Sequence, residues 1–234
     1  MVQLSDNFMA NDQAAGQDTG YPMPFTRIEI AVMTVLDGRL HVLLARRALP
    51  PHAGKWALPG GVLRIDLDRS LDTAALRVMR ERLGIELPFL RQMCALGGPS
   101  RDPRAKWALS VVFRALVPAD GVHPAPGKRV ESIAWRPIDD AIEDKMLAFD
   151  HAVLIKQAVV TTRAEIDSLE LPFGFLPEQF TLGELQTTCE EILGHPLDKS
   201  SFRRRLADRE IVEAVQGAMR GGAFRPAQLY RRRI

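Results

Sequence analysis

The chain has 234 residues, 46% apolar and 26% charged, which suits one large domain or two smaller ones with proper cores. It holds no run of apolar residues long enough to span a membrane, and no basic segment leading into an apolar one near Met1, so neither a spanning helix nor a secretory signal is expected. The formal charge is only +2, yet from Lys199 to Ile234 there are ten Lys/Arg against three Asp/Glu; that end sums to +7 and the rest to −5, which points to a polyanionic partner.

In chain order, residues Met1 to Met23 are polar and without periodicity, as a disordered tail would be. Arg27 to Leu36 reads as a strand, Asp37-Gly38 as a tight turn, and Arg39 to Arg46 as the returning strand. Leu49 to Gly61 is a Pro- and Gly-rich loop that delivers Trp56 and the pair Gly60-Gly61. Leu71, Ala74, Ala75, Val78, Met79 and Leu83 then recur at helical spacing, with Arg77 and Glu81 on another face and Gly84 at the end. Trp107, Leu109, Val111, Phe113, Ala115 and Val117 alternate, as a strand with one buried face would. Glu131 to Arg136 is a short strand. Asp150 is placed to N-cap a helix that carries Leu154, Ile155, Ala158 and Val159. The pattern is an α/β sandwich over residues 24–166. Cys94 and Cys189 are far apart and without metal-ligand spacing; they read as buried thiols in a reducing, cytoplasmic setting.

Residues 167–177 carry Pro172, Gly174 and Pro177 and read as a linker with the freedom of a hinge. Residues 178–234 form a second unit. Thr181 and Glu184 make a capping box before the stripe Leu182, Leu185, Cys189, Ile192, Leu193, and Gly194 with Pro196 stops that helix. Asp198 can cap a second short helix that turns Phe202 and Leu206 inward and most of its basic residues elsewhere. Ile211 to Gln216 and Phe224 to Arg233 read as a hairpin whose Pro226 confines its strand to an edge or a bulge. Helix, turn, basic helix and basic hairpin make a winged helix-turn-helix. A small helical dimerisation lobe is the blander alternative. The first helix has no Lys or Arg while the second helix and hairpin have many, and phosphate contacts need that one-sided surface.

The Gly pair, the helix and Gly84 resemble the Nudix box, whose end reads Arg-Glu-apolar-x-Glu-Glu-x-Gly-apolar. Arg77, Glu81 and Gly84 fall in register. Val78 stands for the Glu after the Arg, Arg82 for the last Glu, Arg69 for the loop Glu, and the loop is two residues longer than the motif allows. In a working box those carboxylates hold the divalent ions that activate water. Glu81 alone is a poor site for such a cation and reads more readily as a salt-bridge partner. No catalytic residue, no metal site and no required cofactor are therefore expected.

The likeness extends further. Trp56-Ala57-Leu58-Pro59-Gly60-Gly61, Arg101-Asp102-Pro103-Arg104, Ala148-Phe149-Asp150-His151, Phe202-Arg203-Arg204-Arg205 and Arg225-Pro226-Ala227-Gln228-Leu229-Tyr230, in this order, resemble Nudix-related transcriptional regulators of NAD metabolism. The resemblance implies a Nudix α/β/α sandwich followed by a C-terminal winged helix-turn-helix. It implies a homodimeric repressor of NAD biosynthesis genes, with a palindromic operator in double-stranded DNA and ADP-ribose or a related NAD metabolite as effector. Gly60, Gly61, Arg77, Glu81, Arg101, Asp102, Arg104, Phe149 and His151 are the candidate ligand residues. Lys199, Ser200, Ser201, Arg203, Arg204, Arg205, Arg225, Arg231 and Arg232 are the candidate DNA contacts. His151 can equally be a core or capping histidine, Arg101 and Arg104 a solvated loop, and Trp56 packing. A Nudix hydrolase of ADP-ribose or another nucleoside diphosphate derivative, with the C-terminal unit as dimerisation lobe, is the alternative function. An adaptor with neither activity is the third.

Overall fold

The computed structural model describes residues 23–87, 90–221 and 226–233. The expected tail lies outside them, Met23 apart, as does Arg225. Strands β1 (Phe25–Leu36) and β2 (Arg39–Arg47) form the hairpin announced by Asp37-Gly38, whose φ values of 49° and 70° suit a tight strand turn. The short strands β3 (Trp56–Ala57) and β4 (Gly60–Val62) pair with β2 and β1, and helix α1 (Leu71–Leu83) follows. Then come β5 (Arg91–Gly98), β6 (Ala108–Leu116), β7 (Val130–Pro137), α2 (Ile138–Glu143) and α3 (His151–Asp167). β1 runs parallel to β6 at the centre of a seven-stranded mixed sheet.

The sheet is covered on both faces. Ile28, Ile30, Val32 and Phe113 meet Ala74, Val78 and Met79 of α1, while Ala31, Met33, Val42 and Val112 meet Leu154, Ile155 and Ala158 of α3. Each fully buried Leu, Ile or Met side chain contributes about 1.5–3 kcal/mol. Burial on two faces also corrects the reading of β6. Ala108, Ser110, Val112 and Arg114 are buried as well as Val111, Phe113 and Ala115, because the strand is central, and exposed Trp107 lies before its start. Periodicity missed β5 and α2 altogether. β5 is an edge strand of mixed polarity, Arg91-Gln92-Met93-Cys94 onward, and α2 is too short to show a period. Cys189 is buried, and burial pushes its thiol up to about 12; Cys94 on the edge strand is only half-buried.

In the second unit β8 (Phe180–Thr181), α4 (Leu182–Leu193), α5 (Lys199–Asp208), β9 (Val212–Arg220) and β10 (Ala227–Arg232) make a winged helix. The Thr181 hydroxyl accepts from the Glu184 N–H at 3.1 Å, and Glu184 accepts from the Thr181 N–H at 2.7 Å, which completes the capping box. Asp198 accepts from the Ser201 N–H at 2.7 Å, so Ser201 is engaged in starting α5. β10 is the middle strand of its sheet, between β8 and β9, rather than an edge strand. Pro226 is tolerated because it precedes the strand, and the register shift lies between Gln228 and Tyr230.

The expected hinge is packed. Leu169 is buried, and Leu171, Phe173 and Leu176 lie against a core that runs without interruption from Leu154 and Ile155 of α3 to Leu185, Ile192, Phe202 and Leu206 of the winged helix. α4 contacts β1, β2 and α3 directly. Pro and Gly in residues 167–177 therefore shape a fixed connection, not a loose one.

Candidate ligand cleft and nucleic-acid interface

Arg27 and Glu29 alternate along β1 and both point into the interior. They are 6% and 1% exposed, so each must be paired. Arg27 donates to Glu29 at 2.5 Å and to Asp102 at 3.2 Å. Asp102 in turn accepts from the Arg104 side chain at 2.5 and 2.8 Å and from the Arg104 N–H at 3.0 Å. His151 accepts at Nδ1 from the Leu58 N–H at 2.9 Å, which leaves the neutral ring's proton on Nε2, 3.7 Å from the second oxygen of Glu29. That oxygen has no other partner among the described residues. Gly60 has to be glycine because a Cβ there would overlap the Glu29 carboxylate, and one at Gly61 would press on Val78.

These charges set the ionisation of the site. Burial alone would raise the Glu29 carboxyl, but the Arg27 charge, helped by the His151 N–H that faces it, outweighs burial and holds it at about 2. Asp102, likewise raised by burial and lowered by Arg104 and Arg27, also sits at about 2. A carboxyl held below its unfolded value contributes stability above that unfolded value and loses it as the pH falls through the folded one. The protein should therefore lose stability from pH 4.5, the ordinary value of a Glu, down towards pH 2. The Glu29 share is about 3 kcal/mol at roughly 1.4 kcal/mol per pH unit. Urea melts at pH 6, 4 and 3 on the parent and on Glu29→Gln measure it. Equal pH slopes in the two proteins would remove Glu29 from the account.

Phe149 adopts a left-handed backbone, φ 55°, which a phenylalanine rarely does. It presents its ring to the Arg27 and Arg47 guanidinium groups, each 5.0 Å from the centroid, and to the edge of His52 at 4.6 Å. Arg101 makes two bonds to Asp150, 2.8 and 2.9 Å, and a third to the Leu96 carbonyl. This corrects the expectation for Asp150. It occupies the N-cap position of α3, but its carboxylate bonds Arg101 rather than the helix N–H groups.

A narrow cleft opens between the Gly60-Gly61 strand and the end of β2. Six arginines line it, Arg27, Arg46, Arg47, Arg82, Arg104 and Arg129, and no described carboxylate does. Arg47 donates to the Pro51 carbonyl at 2.7 Å, and burial with the nearby Arg27 and Arg104 charges pushes its guanidinium down to about 10. Such a wall suits a compact polyanion. Gly60, Gly61 and Arg104 belong to this cleft. Arg101, Phe149, Asp150 and His151 line the adjoining hollow with Arg27, Glu29 and Asp102.

Arg77 and Glu81 line neither space. Arg77 is clasped by Asp68 at 2.7 and 2.8 Å, by the Val62 carbonyl at 3.0 Å and by Glu81 at 3.4 Å. It fastens the loop to α1, and Glu81 is its salt-bridge partner. Val78 lies in the core, and Arg82 donates to the Gly60 carbonyl at 2.9 Å and the Lys128 carbonyl at 2.7 Å. The residues at the carboxylate positions of the Nudix motif thus do not fit a divalent cation: Val78 is apolar, Glu81 is bonded to an arginine, and Arg69 and Arg82 are themselves cations. Sequence reasoning overlooked Arg27, Glu29, Arg46, Arg47, Asp68 and Arg129. The alternation Arg27-x-Glu29 inside an apolar strand was the one local signal.

On the winged helix, Lys199, Ser200, Arg203 and Arg204 are exposed along α5, and neither arginine pairs with a described residue. The other described candidates are engaged. Arg205 donates to the Asp167 carbonyl, Arg231 to Glu213 at 2.6 Å, and Arg232 lies 5.5 Å over the Phe173 ring. The set of exposed basic side chains without a described partner is thus smaller than the count of basic residues suggests.

Residues 26–158 match the Nudix domain family, and residues 172–232 match the NrtR DNA-binding winged helix domain. A relative from Acinetobacter baylyi, described as an ADPR responsive transcriptional repressor, is 36% identical over 98% of this chain and 91% of its own length. The crystal structure of Shewanella oneidensis NrtR with a 27mer DNA superposes with a TM-score of 0.73 at 33% identity, over 89% of this chain and 93% of that one. The Nudix domain of the same Shewanella protein, in complex with ADP ribose, gives 0.58 at 31% identity over 64% of this chain and 95% of that one.

Proposed function

Because this chain belongs to the NrtR family of regulators, a Nudix domain joined to a DNA-binding winged helix, we propose that it is a transcriptional repressor whose DNA affinity is set by ADP-ribose. The observation that carries the reading is the arginine-lined cleft at Gly60-Gly61, free of described carboxylates, in one continuous fold with the exposed basic face of α5. The diphosphate of ADP-ribose lies against Arg47, Arg82 and Arg104, and the Phe149 ring flanks it. Double-stranded DNA meets Lys199, Arg203 and Arg204. The target genes are those of NAD biosynthesis, and the regulator acts in the cytoplasm as a homodimer on an imperfect palindrome with half-sites about 10 base pairs apart or a multiple of that.

The protein does not act as a hydrolase. A divalent ion would supply polarisation of the diphosphate and an activated water. Val78 and Arg82 stand where its ligands belong, and the charge of Arg82 already occupies the Gly60 carbonyl.

The test is a mobility shift with DNA from upstream of NAD biosynthesis genes, with and without millimolar ADP-ribose. Binding should weaken about 5- to 150-fold with the ligand. In parallel, ADP-ribose with Mg²⁺ or Mn²⁺ should stay intact; turnover near 1 per second would establish a working hydrolase. An operator affinity indifferent to ADP-ribose would refute the sensor.

A further inference from the structure

The geometry points to α3 as the rod that joins the ligand cleft to the DNA-reading helix, with Arg205 as its positioning residue on the far side. This rests on the function proposed above. α3 spans seventeen residues, hence about 25 Å at 1.5 Å per residue. At its N-terminus Phe149 and His151 line the ligand side, and Asp150 grips Arg101. Its C-terminus lies under the winged helix.

The hydrogen bonds of the last turn show why that end transmits. A helix leaves its final four carbonyls without partners inside the helix. Here the Ala164 carbonyl accepts from the Ser168 N–H at 3.0 Å, Glu165 from Glu170 at 2.8 Å, and Ile166 from Leu169 at 2.9 Å. Those last two bonds make a Schellman turn, with Leu169 in the left-handed position at φ 67° where glycine is usual. Leucine is tolerated there because its side chain is buried in the shared core. The Asp167 carbonyl remains, and its partner comes from another element: Arg205 of α5. A cation at the negative end of a helix is also favoured by the helix dipole.

A second bond runs nearby, from Arg163 of α3 to the Ile192 carbonyl of α4 at 3.2 Å. Apolar contacts between these helices permit sliding; the directional bonds fix their register. Arg203 and Arg204 sit two and one residues before Arg205, so a shift of α3 along its axis moves the reading face through that bond. Ligand binding that rearranges Phe149, Asp150 or His151 has a direct mechanical route to α5. Arg205 therefore acts between the two domains rather than on DNA.

The experiment titrates labelled operator with the full-length parent, Arg205→Ala and Arg205→Lys, each with and without ADP-ribose and at two salt concentrations. Calorimetry follows ADP-ribose binding alone. Arg205→Ala should keep operator affinity without ligand within about 3-fold and keep the parent's salt dependence, while the ligand-induced weakening shrinks to below about 3-fold. Its ADP-ribose affinity should equal the parent's. Arg205→Lys, which still donates to one carbonyl, should recover part of the response. An undiminished ligand response in Arg205→Ala would overturn the inference. So would a shallower salt dependence with weaker binding in the absence of ligand, because that places Arg205 on a phosphate. A parent protein that ignores ADP-ribose would sink the sensor itself, an outcome separable from both.

Discussion

Replacing Arg203 and Arg204 together by alanine should abolish operator binding at ordinary salt, a loss of at least about 1,000-fold. Both lie on the exposed face of α5 and pair with no described residue, so their charge is available to DNA. Each interaction of this kind with a base or a phosphate is worth about 1–3 kcal/mol, and a dimer forfeits each of them twice. Residual binding should have a flatter salt dependence, by about one unit of slope for every phosphate that the protein no longer neutralises. The fold should survive, because alanine favours helix and neither side chain is buried; thermal melting checks this. Binding within tenfold of the parent would move the reading head away from α5. The engaged residues Arg231 and Arg232 provide the contrast, since their charges already meet Glu213 and Phe173.

The second large effect is expected at Arg47. Alanine there should weaken ADP-ribose binding about 10- to 150-fold, the 1.5–3 kcal/mol of a hydrogen bond to a charged group. Arg47 is the cleft arginine most in need of an anion. It is partly desolvated, it faces Arg27 and Arg104, and no described carboxylate hydrogen-bonds it; burial and those two charges outweigh Glu29 and Asp102 and bring its guanidinium down to about 10. A bound diphosphate supplies the missing counter-charge. Arg77→Ala is the control, because Arg77 is outside the cleft and clasped by Asp68. It should lower stability by about 1–3 kcal/mol, through a nearly buried carboxylate left without its partner, and leave ligand affinity unchanged. Calorimetric titration separates the two. If Arg77→Ala loses the ligand and Arg47→Ala retains it, the diphosphate sits at the Nudix loop rather than in this cleft.

The layout of both domains could be read from the sequence because local signals agreed with tertiary ones. Asp37-Gly38, the Thr181–Glu184 box, Asp198 and Gly194 each mark an end, and each behaves in the structure as its chemistry dictates. β5 and α2 escaped for lack of a period. Arg104, Phe149 and His151 could be found through a family phrase, whereas Arg47 and Arg129 could not, since nothing local distinguishes a cleft arginine from a solvated one. Arg77 shows the converse difficulty. Its motif position drew it in among the ligand candidates, yet only the fold reveals that Asp68, nine residues earlier, holds it. Arg205 is equally hard to single out: in the sequence it is one of three adjacent arginines, and only partial burial and the Asp167 carbonyl separate it from its neighbours.

The continuous core bears on how such a regulator can diversify. Joining two genes end to end gives a sensor and a reader on a tether, each free to be exchanged. Here Leu185, Cys189 and Ile192 of the reader share one cluster with Leu154 and Ile155 of the sensor. A new sensor grafted before residue 168 would have to bring a complementary apolar face, or leave that of α4 bare to water. A change in packing on one side of this cluster therefore has to be accommodated on the other. Chimeras between distant relatives will tolerate a cut across the exposed surface of the wing far better than one at the apparent domain boundary.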